Sequence, residues 1–350
     1  MNALDRASID ALDSGHMLAD ILAMPEQLGD ALWRVESAAI EPVDTPGGLI
    51  VAGMGGSAIG GALARAALAD QASRPILGAR GYGLPSWPTP DTTVLCASYS
   101  GNTEETLACF ESAGALGARR IVATTGGLLA QQARAAGVPV IPIPGGFEPR
   151  AAVAYLLVSA LEVAALCGAG PRLAAEIDVT ASHLEQLVAQ WGPDADDDAP
   201  PKALARELHG SVPVIAGAGL TTPVAYRWKT QINENAGLPA FAAELPELDH
   251  NEIAGWMGAG QLGPFSAIFL DDCDSHPRLR ARIELTERFI GPHAKLTRVI
   301  STRGESALER VCSMVLLGDL VSCYLAALNG TDPTPAPPLA QLKELLGSHE

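Results

Sequence analysis

Basic residues are scarce in this chain: 23 Lys and Arg stand against 40 Asp and Glu, a formal net charge of −17 over 350 residues. Nucleic acid and anionic membrane surfaces are held by clustered Lys and Arg, so neither is expected as a partner. A small anionic ligand stays open, because backbone N–H groups and hydroxyls bind phosphate without net positive charge. Paired cysteines are missing as well. Cys96, Cys109, Cys167, Cys273, Cys312 and Cys323 show no C-x-x-C spacing, and most lie in apolar runs, which reads as buried free thiols in a reducing cytosol. The seven histidines show no H-x-x-x-H or other ligand spacing, so no metal is expected. The start, "MNALDRASIDALDSGH", alternates charged and apolar residues and lacks a signal-peptide core. The apolar run "ALERVCSMVLLGDLVSCYLAAL" is interrupted by Glu309, Arg310 and Asp319, leaving no piece long enough to span a bilayer. It reads as a core helix, and the chain as cytoplasmic.

What is present is a well-packed interior. Apolar content of 48% argues for a globular chain, and 350 residues exceed what one hydrophobic core fills, so two domains are expected. Short β-branched runs alternate with longer helical patterns, the mark of a parallel sheet flanked by helices. Candidate strands are "GLIVAG", "RPILGA", "TTVLCAS", "RRIVATT" and "VPVIPIP", then "VPVIAG", "FSAIFLDD" and "KLTRVIS". The helix "RAAVAYLLVSALEVAALCG" is expected to join the halves, with the acidic, proline-rich "GPDADDDAPPKA" as an exposed linker or loop. A faint repeat relates "LIVAGMGGSAIGGALARA" to "PVIAGAGLTTPVAYRWKT", so both halves read as copies of one doubly wound α/β unit.

The loops differ in chemistry. "SYSGNTEETL" crowds Ser98, Ser100, Asn102, Thr103 and Thr106 where a strand gives way to a helix. Ligands of open α/β sheets bind at the carboxyl ends of strands, where helix N-termini present free N–H groups. Helix capping by Asn102 or Thr103 accounts for one or two of these side chains and not for the set. "AGMGGSAIGG" adds a tight glycine turn with Ser57 opening the next helix. It also satisfies a relaxed dinucleotide fingerprint, and Arg80 would then suit a 2′-phosphate, so an NADP-dependent oxidoreductase is an alternative. The equivalent loop of the second half, "DDCDSH", would repel phosphate, which leaves one phosphate site per chain.

Three stretches together, "GMGGSAIGG", "SYSGNTEET" and "RWKTQINENAGLPAFAAELPELDHNEIAGW", resemble the bifunctional phosphoglucose/phosphomannose isomerases, which are built from two sugar isomerase (SIS) domains. "PGGFEPRAAVAYL" and "LAQLKELL" resemble further blocks of that family. The resemblance implies an N-terminal SIS domain over 1–152 and a C-terminal one over 153–350, each a doubly wound, mainly parallel sheet. It implies sugar-phosphate binding by Gly56, Ser57, Ser98, Ser100 and Thr103. Glu234 would be the base moving a proton between C1 and C2, His250 and Lys343 would open the sugar ring, and Arg150 would face the enediolate. In the wider superfamily the ring-opening histidine comes from the partner subunit, which implies a homodimer. The chain departs from the family's usual pattern at Ala62, where aspartate is common, and at Arg80-Gly81-Tyr82, where R-D-Y is common. The family associates a C-terminal threonine with mannose 6-phosphate. Here Thr331 and Thr334 are nearby, and Ala336 lies closer to Lys343, so the glucose activity is implied more directly.

The chemistry suits those residues. Aldose–ketose isomerisation removes a proton from carbon beside a carbonyl, which a positioned carboxylate performs without a cofactor. A fixed guanidinium stabilises the enediolate oxygen. Glucose 6-phosphate and mannose 6-phosphate differ only at C2, which is planar in the enediol, so one site can interconvert both with fructose 6-phosphate. Taken singly, Glu234 also reads as a solvated carboxylate, Asp249-x-x-Glu252 as a capping box, and Lys343 as surface charge. A non-catalytic sugar-phosphate-binding regulatory protein is the other alternative.

Overall fold

The computed structural model describes residues 4–347. The apolar runs become strands, the central ones buried on both faces as parallel sheets require and the edge ones partly exposed. Five form the first sheet: β1 (Leu49–Ala52), β2 (Ile76–Ala79), β3 (Thr93–Ala97), β4 (Arg119–Thr124) and β5 (Val140–Pro142), in the order β2-β1-β3-β4-β5. All neighbours are parallel, with Leu49 opposite both Ile76 and Thr93. The connecting helices include α1 (Gly55–Leu68), α2 (Glu104–Leu116) and α3 (Gly127–Ala135). Helix α4 (Val153–Leu166) has 12 of its 14 residues buried.

The second sheet holds β6 (Val212–Ala218), β7 (Phe241–Leu245), β8 (Phe265–Asp271) and β9 (Leu296–Ser301), in the order β7-β6-β8-β9, again all parallel. Its named helices are α5 (Thr222–Asn235), α6 (Pro277–Ile290), α7 (Ala307–Asn329, from Ser313 onward) and α8 (Pro337–Gly347). Strand β7 was absent from the sequence expectations. Its residues, "FAAEL", include Ala and Glu, weak strand formers, and it pairs only with β6 at the sheet edge.

The chain divides into two compact units. One contains β1–β5 and comprises Ala23–Glu185 and Gly304–Cys312. The other contains β6–β9 and comprises the described residues up to Leu22, Gln186–Arg303 and the described residues from Ser313. Helix α4, expected to be a connector, lies wholly inside the β1–β5 unit, because a helix apolar on every side belongs in an interior. In the "GPDADDDAPPKA" segment residues 192–199 form a loop of the β6–β9 unit and Pro200 opens the helix Pro200–Leu208. The buried Lys202 amine closes it, donating to the carbonyl oxygens of Pro193 and Ala195 at 2.8 Å each. The N-terminal segment also packs into this unit. Leu4, Ile9 and Met17 are buried, Arg6 pairs with Asp194 at 2.6 Å, and Thr334 donates to Asp13 at 2.8 Å.

Helix α7 passes the length and hydropathy test for a membrane span, yet 94% of that window is buried inside the protein. Its Asp319 explains why a charge interrupts the run. Arg227 of α5 donates to both Asp319 oxygens, at 3.0 and 2.6 Å, and both side chains are 1% exposed. Burial pushes the Asp319 carboxyl up, and the guanidinium pulls it back down. Trp228 donates to the Met314 carbonyl at 2.8 Å and Asn235 to the Ser322 hydroxyl at 2.9 Å, so α5 is bolted to α7 along its length. Five cysteines are buried and free, and burial raises the Cys312 thiol to about 12; Cys273, just past β8, is exposed. Asp319→Ala is expected to cost about 3–5 kcal/mol in denaturant unfolding by leaving the buried guanidinium without its carboxylate. The paired replacement Arg227→Met with Asp319→Leu is expected to recover most of that loss.

Candidate functional site

In the first sheet the strand order reverses between β1 and β3. The connection from β1 to β2 steps one way across the sheet and the later ones step the other. Right-handed crossovers therefore place α1 and α2 on opposite faces. The loops leaving β1 and β3 diverge and leave a crevice at the carboxyl edge, where doubly wound sheets hold ligands.

The first loop is glycine-rich for a steric reason. A Cβ on Gly56 would lie 2.9 Å from the Pro149 carbonyl oxygen and 3.2 Å from the Arg150 Cα, so only glycine lets the start of α1 meet the 149–150 turn. Ser57 follows, 6% exposed, and its hydroxyl oxygen accepts the Tyr99 N–H across the crevice at 3.2 Å. That bond ties the two loops together.

In the second loop, Ser98 is 1% exposed; its oxygen accepts the Gly101 N–H at 3.1 Å and shares a hydrogen bond with the Thr103 hydroxyl at 2.9 Å. The Ser100 oxygen accepts the Asn102 N–H at 3.3 Å. Thr103 occupies the N-cap position of α2, but its side chain makes no cap bond and turns to Ser98 instead. Asn102 does not cap either, since its side-chain oxygen accepts the Leu128 N–H at 3.0 Å and fixes the loop to α3. Gly101 has φ +70, and a Cβ there would collide with the Gly126 carbonyl. A hydroxyl whose lone pair already receives an amide proton is oriented to give its own proton away. Ser57 and Ser100 stand in that condition, and the Ser98–Thr103 pair keeps one of its two hydroxyl protons to give, beside the N–H groups that begin α1.

Tyr99, which the sequence reading passed over, holds the third wall. Its hydroxyl oxygen accepts the Phe147 N–H at 2.8 Å, and its carbonyl accepts the Thr125 hydroxyl at 2.7 Å. Phe147 stacks obliquely on Tyr155, with centroids 5.9 Å apart. Burial, with the Asp30 carboxylate at 2.9 Å, raises the Tyr155 phenol, which stays a donor. This anchoring positions the turn that bears Arg150, a side chain 4% exposed and paired with Glu148 at 3.1 Å. The signal in the sequence was a tyrosine set between two serines.

Gly56, Ser57, Ser98, Ser100, Thr103 and Arg150 thus converge in the β1–β5 unit, while Glu234, His250 and Lys343 belong to the β6–β9 unit. At the corresponding place in that unit, between β6 and β8, Thr221 donates to the Leu270 carbonyl at 2.7 Å. Asp271, which ends β8, and Asp272 beyond it are both buried there, a poor place for an anion. Glu234 is half-buried at the penultimate position of α5. Asn233 beside it donates to the Leu238 carbonyl at 2.8 Å and closes the turn into β7. His250 is exposed at the end of a single helical turn, Glu247–His250, just past β7. Lys343 is exposed on α8.

The topology places Glu234 and His250 of one chain on different faces of the second sheet. The connections β6 to β7 and β7 to β8 step in opposite directions, so right-handed crossovers put α5 on one face and the His250 segment on the other. The core confirms that placement for the His250 face, where Leu248 and Trp256 pack with Ile283 and Ile290 of α6. The two residues also flank opposite ends of β7, whose five residues span about 17 Å.

Comparison with known proteins follows the same lines. A family profile described as the bacterial phospho-glucose isomerase C-terminal SIS domain matches residues 197–346. A bifunctional phosphoglucose/phosphomannose isomerase of Caldicellulosiruptor bescii is 36% identical over 337 residues, covering 94% of this chain and 98% of that protein. One from Aquifex aeolicus is 33% identical, covering 86% of this chain and 91% of its own length. Among solved structures, a hypothetical protein from Thermus thermophilus superposes with a TM-score of 0.74 at 17% identity, over 98% of this chain and 93% of that one, a likeness of fold.

Ser98→Ala removes a hydroxyl from the crevice and leaves the Gly101 N–H on the Ser98 backbone carbonyl at 3.2 Å. It is expected to weaken binding of inorganic phosphate, measured by titration calorimetry, by roughly 10-fold or more. Unchanged affinity would mean that the crevice is not an anion site.

Proposed function

This chain belongs to the bifunctional phosphoglucose/phosphomannose isomerase family, and from that membership we propose that it interconverts fructose 6-phosphate with glucose 6-phosphate and mannose 6-phosphate. The observation that carries the reading is the crevice at β1 and β3, where Ser57 bonds the Tyr99 amide and Ser98 bonds Thr103. A cradle of hydroxyls and helix N-terminal amides recognises a phosphate monoester and leaves the rest of the ligand free to react. Each unit is read as one SIS domain, the β1–β5 unit supplying the phosphate site.

The reaction then runs on the chain's own groups. His250 and Lys343 exchange protons with the ring oxygen O5 and the anomeric hydroxyl, giving the open-chain sugar. Glu234 removes the C2 proton of the aldose, and the electron pair moves toward the carbonyl to form a cis-enediolate. Arg150, permanently charged, offsets the charge on the enediolate oxygen. With a proton moved between O1 and O2, Glu234 returns its proton to C1 and yields fructose 6-phosphate. Return to C2 on the opposite face of the planar intermediate yields the other aldose epimer. Thr334 does not bear on that choice in this reading, because its hydroxyl is engaged by Asp13. No redox cofactor enters the balance. Free, mostly buried thiols suit a reducing cytoplasm.

The placement of Glu234 and His250 on opposite faces of one sheet supports a homodimer in which each base works with the partner's histidine. A coupled assay from fructose 6-phosphate, reading both aldoses separately, tests the activity. Glu234→Gln is expected to lower kcat by about 100-fold or more with phosphate binding retained. Full activity in that variant would remove Glu234 from the role of base. Mixing inactive Glu234→Gln and His250→Ala chains is expected to restore activity, about half of wild type in the mixed dimer, because one of its two sites is intact. No recovery on mixing would place both residues in the same chain's site.

A further inference from the structure

The turn that carries His250 is braced more heavily than an exposed turn requires. Leu248, 2% exposed, plugs into the apolar core beneath it. Asn251 donates to Glu247 at 2.9 Å and its oxygen accepts the Glu252 N–H at 2.6 Å. Asn251 is therefore the cap of the short helix Glu252–Gly255, and Asp249 is not the capping residue its spacing suggested. The Asp249 carboxylate reaches a different element altogether. One oxygen accepts from Arg282 at 2.8 Å and the other from the Thr286 hydroxyl at 2.7 Å, both on α6. The Asp249 side chain is 12% exposed, and Thr286 is 2% exposed.

We propose that Asp249 is the positioning residue for His250, fixing the imidazole's angle by clamping its turn to two successive turns of α6. The proposal rests on the reading of His250 as a ring-opening group. Arg282 and Thr286 are four residues apart, so they stand one above the other on the same helix face. A carboxylate bound at both oxygens by two such groups cannot swivel, because rotation about either bond breaks the other. The backbone of the adjacent His250 is fixed with it. The imidazole then needs only its own side-chain rotamer to be set when substrate arrives. Asn251 restrains the turn from the other side and keeps it from unwinding toward Glu252.

Ring opening separates positioning from mere stability. In 5-deoxyfructose 6-phosphate the hydroxyl that closes the ring is absent and O6 is esterified, so this ketose is permanently open-chain. It needs proton transfer between C1 and C2 and no ring-opening group. Asp249→Ala is expected to lower kcat/KM for fructose 6-phosphate by roughly 10- to 100-fold while leaving the open-chain ketose within about twofold of wild type. Arg282→Met and Thr286→Val, each removing one arm of the clamp, are expected to show the same split at smaller size, and they carry the test if Asp249→Ala does not fold. Equal loss on both substrates, or no loss on fructose 6-phosphate, in the variants that fold overturns the positioning role. His250→Ala run alongside distinguishes the two layers. If it shows the split and the clamp variants do not, only the proposal for Asp249 falls. If His250→Ala lowers both substrates equally, the ring-opening reading of His250 falls and takes the proposal with it.

Discussion

A parallel β-α-β connection is right-handed because a right-twisted strand and a right-handed helix pack back onto their sheet only that way. In this chain that restriction does two opposite things. In the first sheet, the reversal of strand order at β1 and β3 sends α1 and α2 to opposite faces and opens the crevice that Ser57 and Ser98 line. In the second, the same reversal at β6 and β8 sends Glu234 and His250 to opposite faces and keeps them apart. One topology, used twice, gathers one set of functional groups and disperses another. At β6 and β8 Thr221 bonds the Leu270 carbonyl and the buried Asp271 and Asp272 stand where an anion would lie, so the repeated topology does not bring a repeated anion site.

The anion site also shows how local geometry overrides net charge. With −17 overall, a lysine-rich pocket would have to be assembled against the chain's own field. The crevice instead relies on neutral hydroxyls oriented by backbone amides, which lose little on desolvation compared with buried ions. Its one deeply buried cation, Arg150, is already balanced by Glu148 at 3.1 Å. The turn that bears it is held by neutral contacts of Tyr99 and Phe147.

Much of this was legible beforehand. Strands β1–β6, β8 and β9 coincide with the β-branched, apolar runs of the sequence, and the hydroxyls at 98–103 exceed what capping needs. Strand β7 was hidden because Phe241–Leu245 pairs on one side only and its composition carries no strand signal. The part played by Tyr99 was hidden because a tyrosine in a loop has many uses, and its contact with Phe147 spans 48 positions. Asp249 misled for the opposite reason. A local pattern, D-x-x-E, matched a familiar cap, whereas the carboxylate's partners lie 33 and 37 residues away on another helix. Spacing along the chain reports contacts within a turn of helix, and these were not of that kind.

The N-terminal segment shows that order along the chain and grouping in space are different partitions. The described residues up to Leu22 belong with β6–β9, joined by Arg6 to Asp194 and by Asp13 to Thr334, although all of β1–β5 intervenes in sequence. The stretch matched as a C-terminal domain, residues 197–346, is therefore not a self-contained object. Its unit is completed by a strap encoded at the other end of the gene. Neither unit is one continuous stretch of chain, so no single cut in the backbone separates the two.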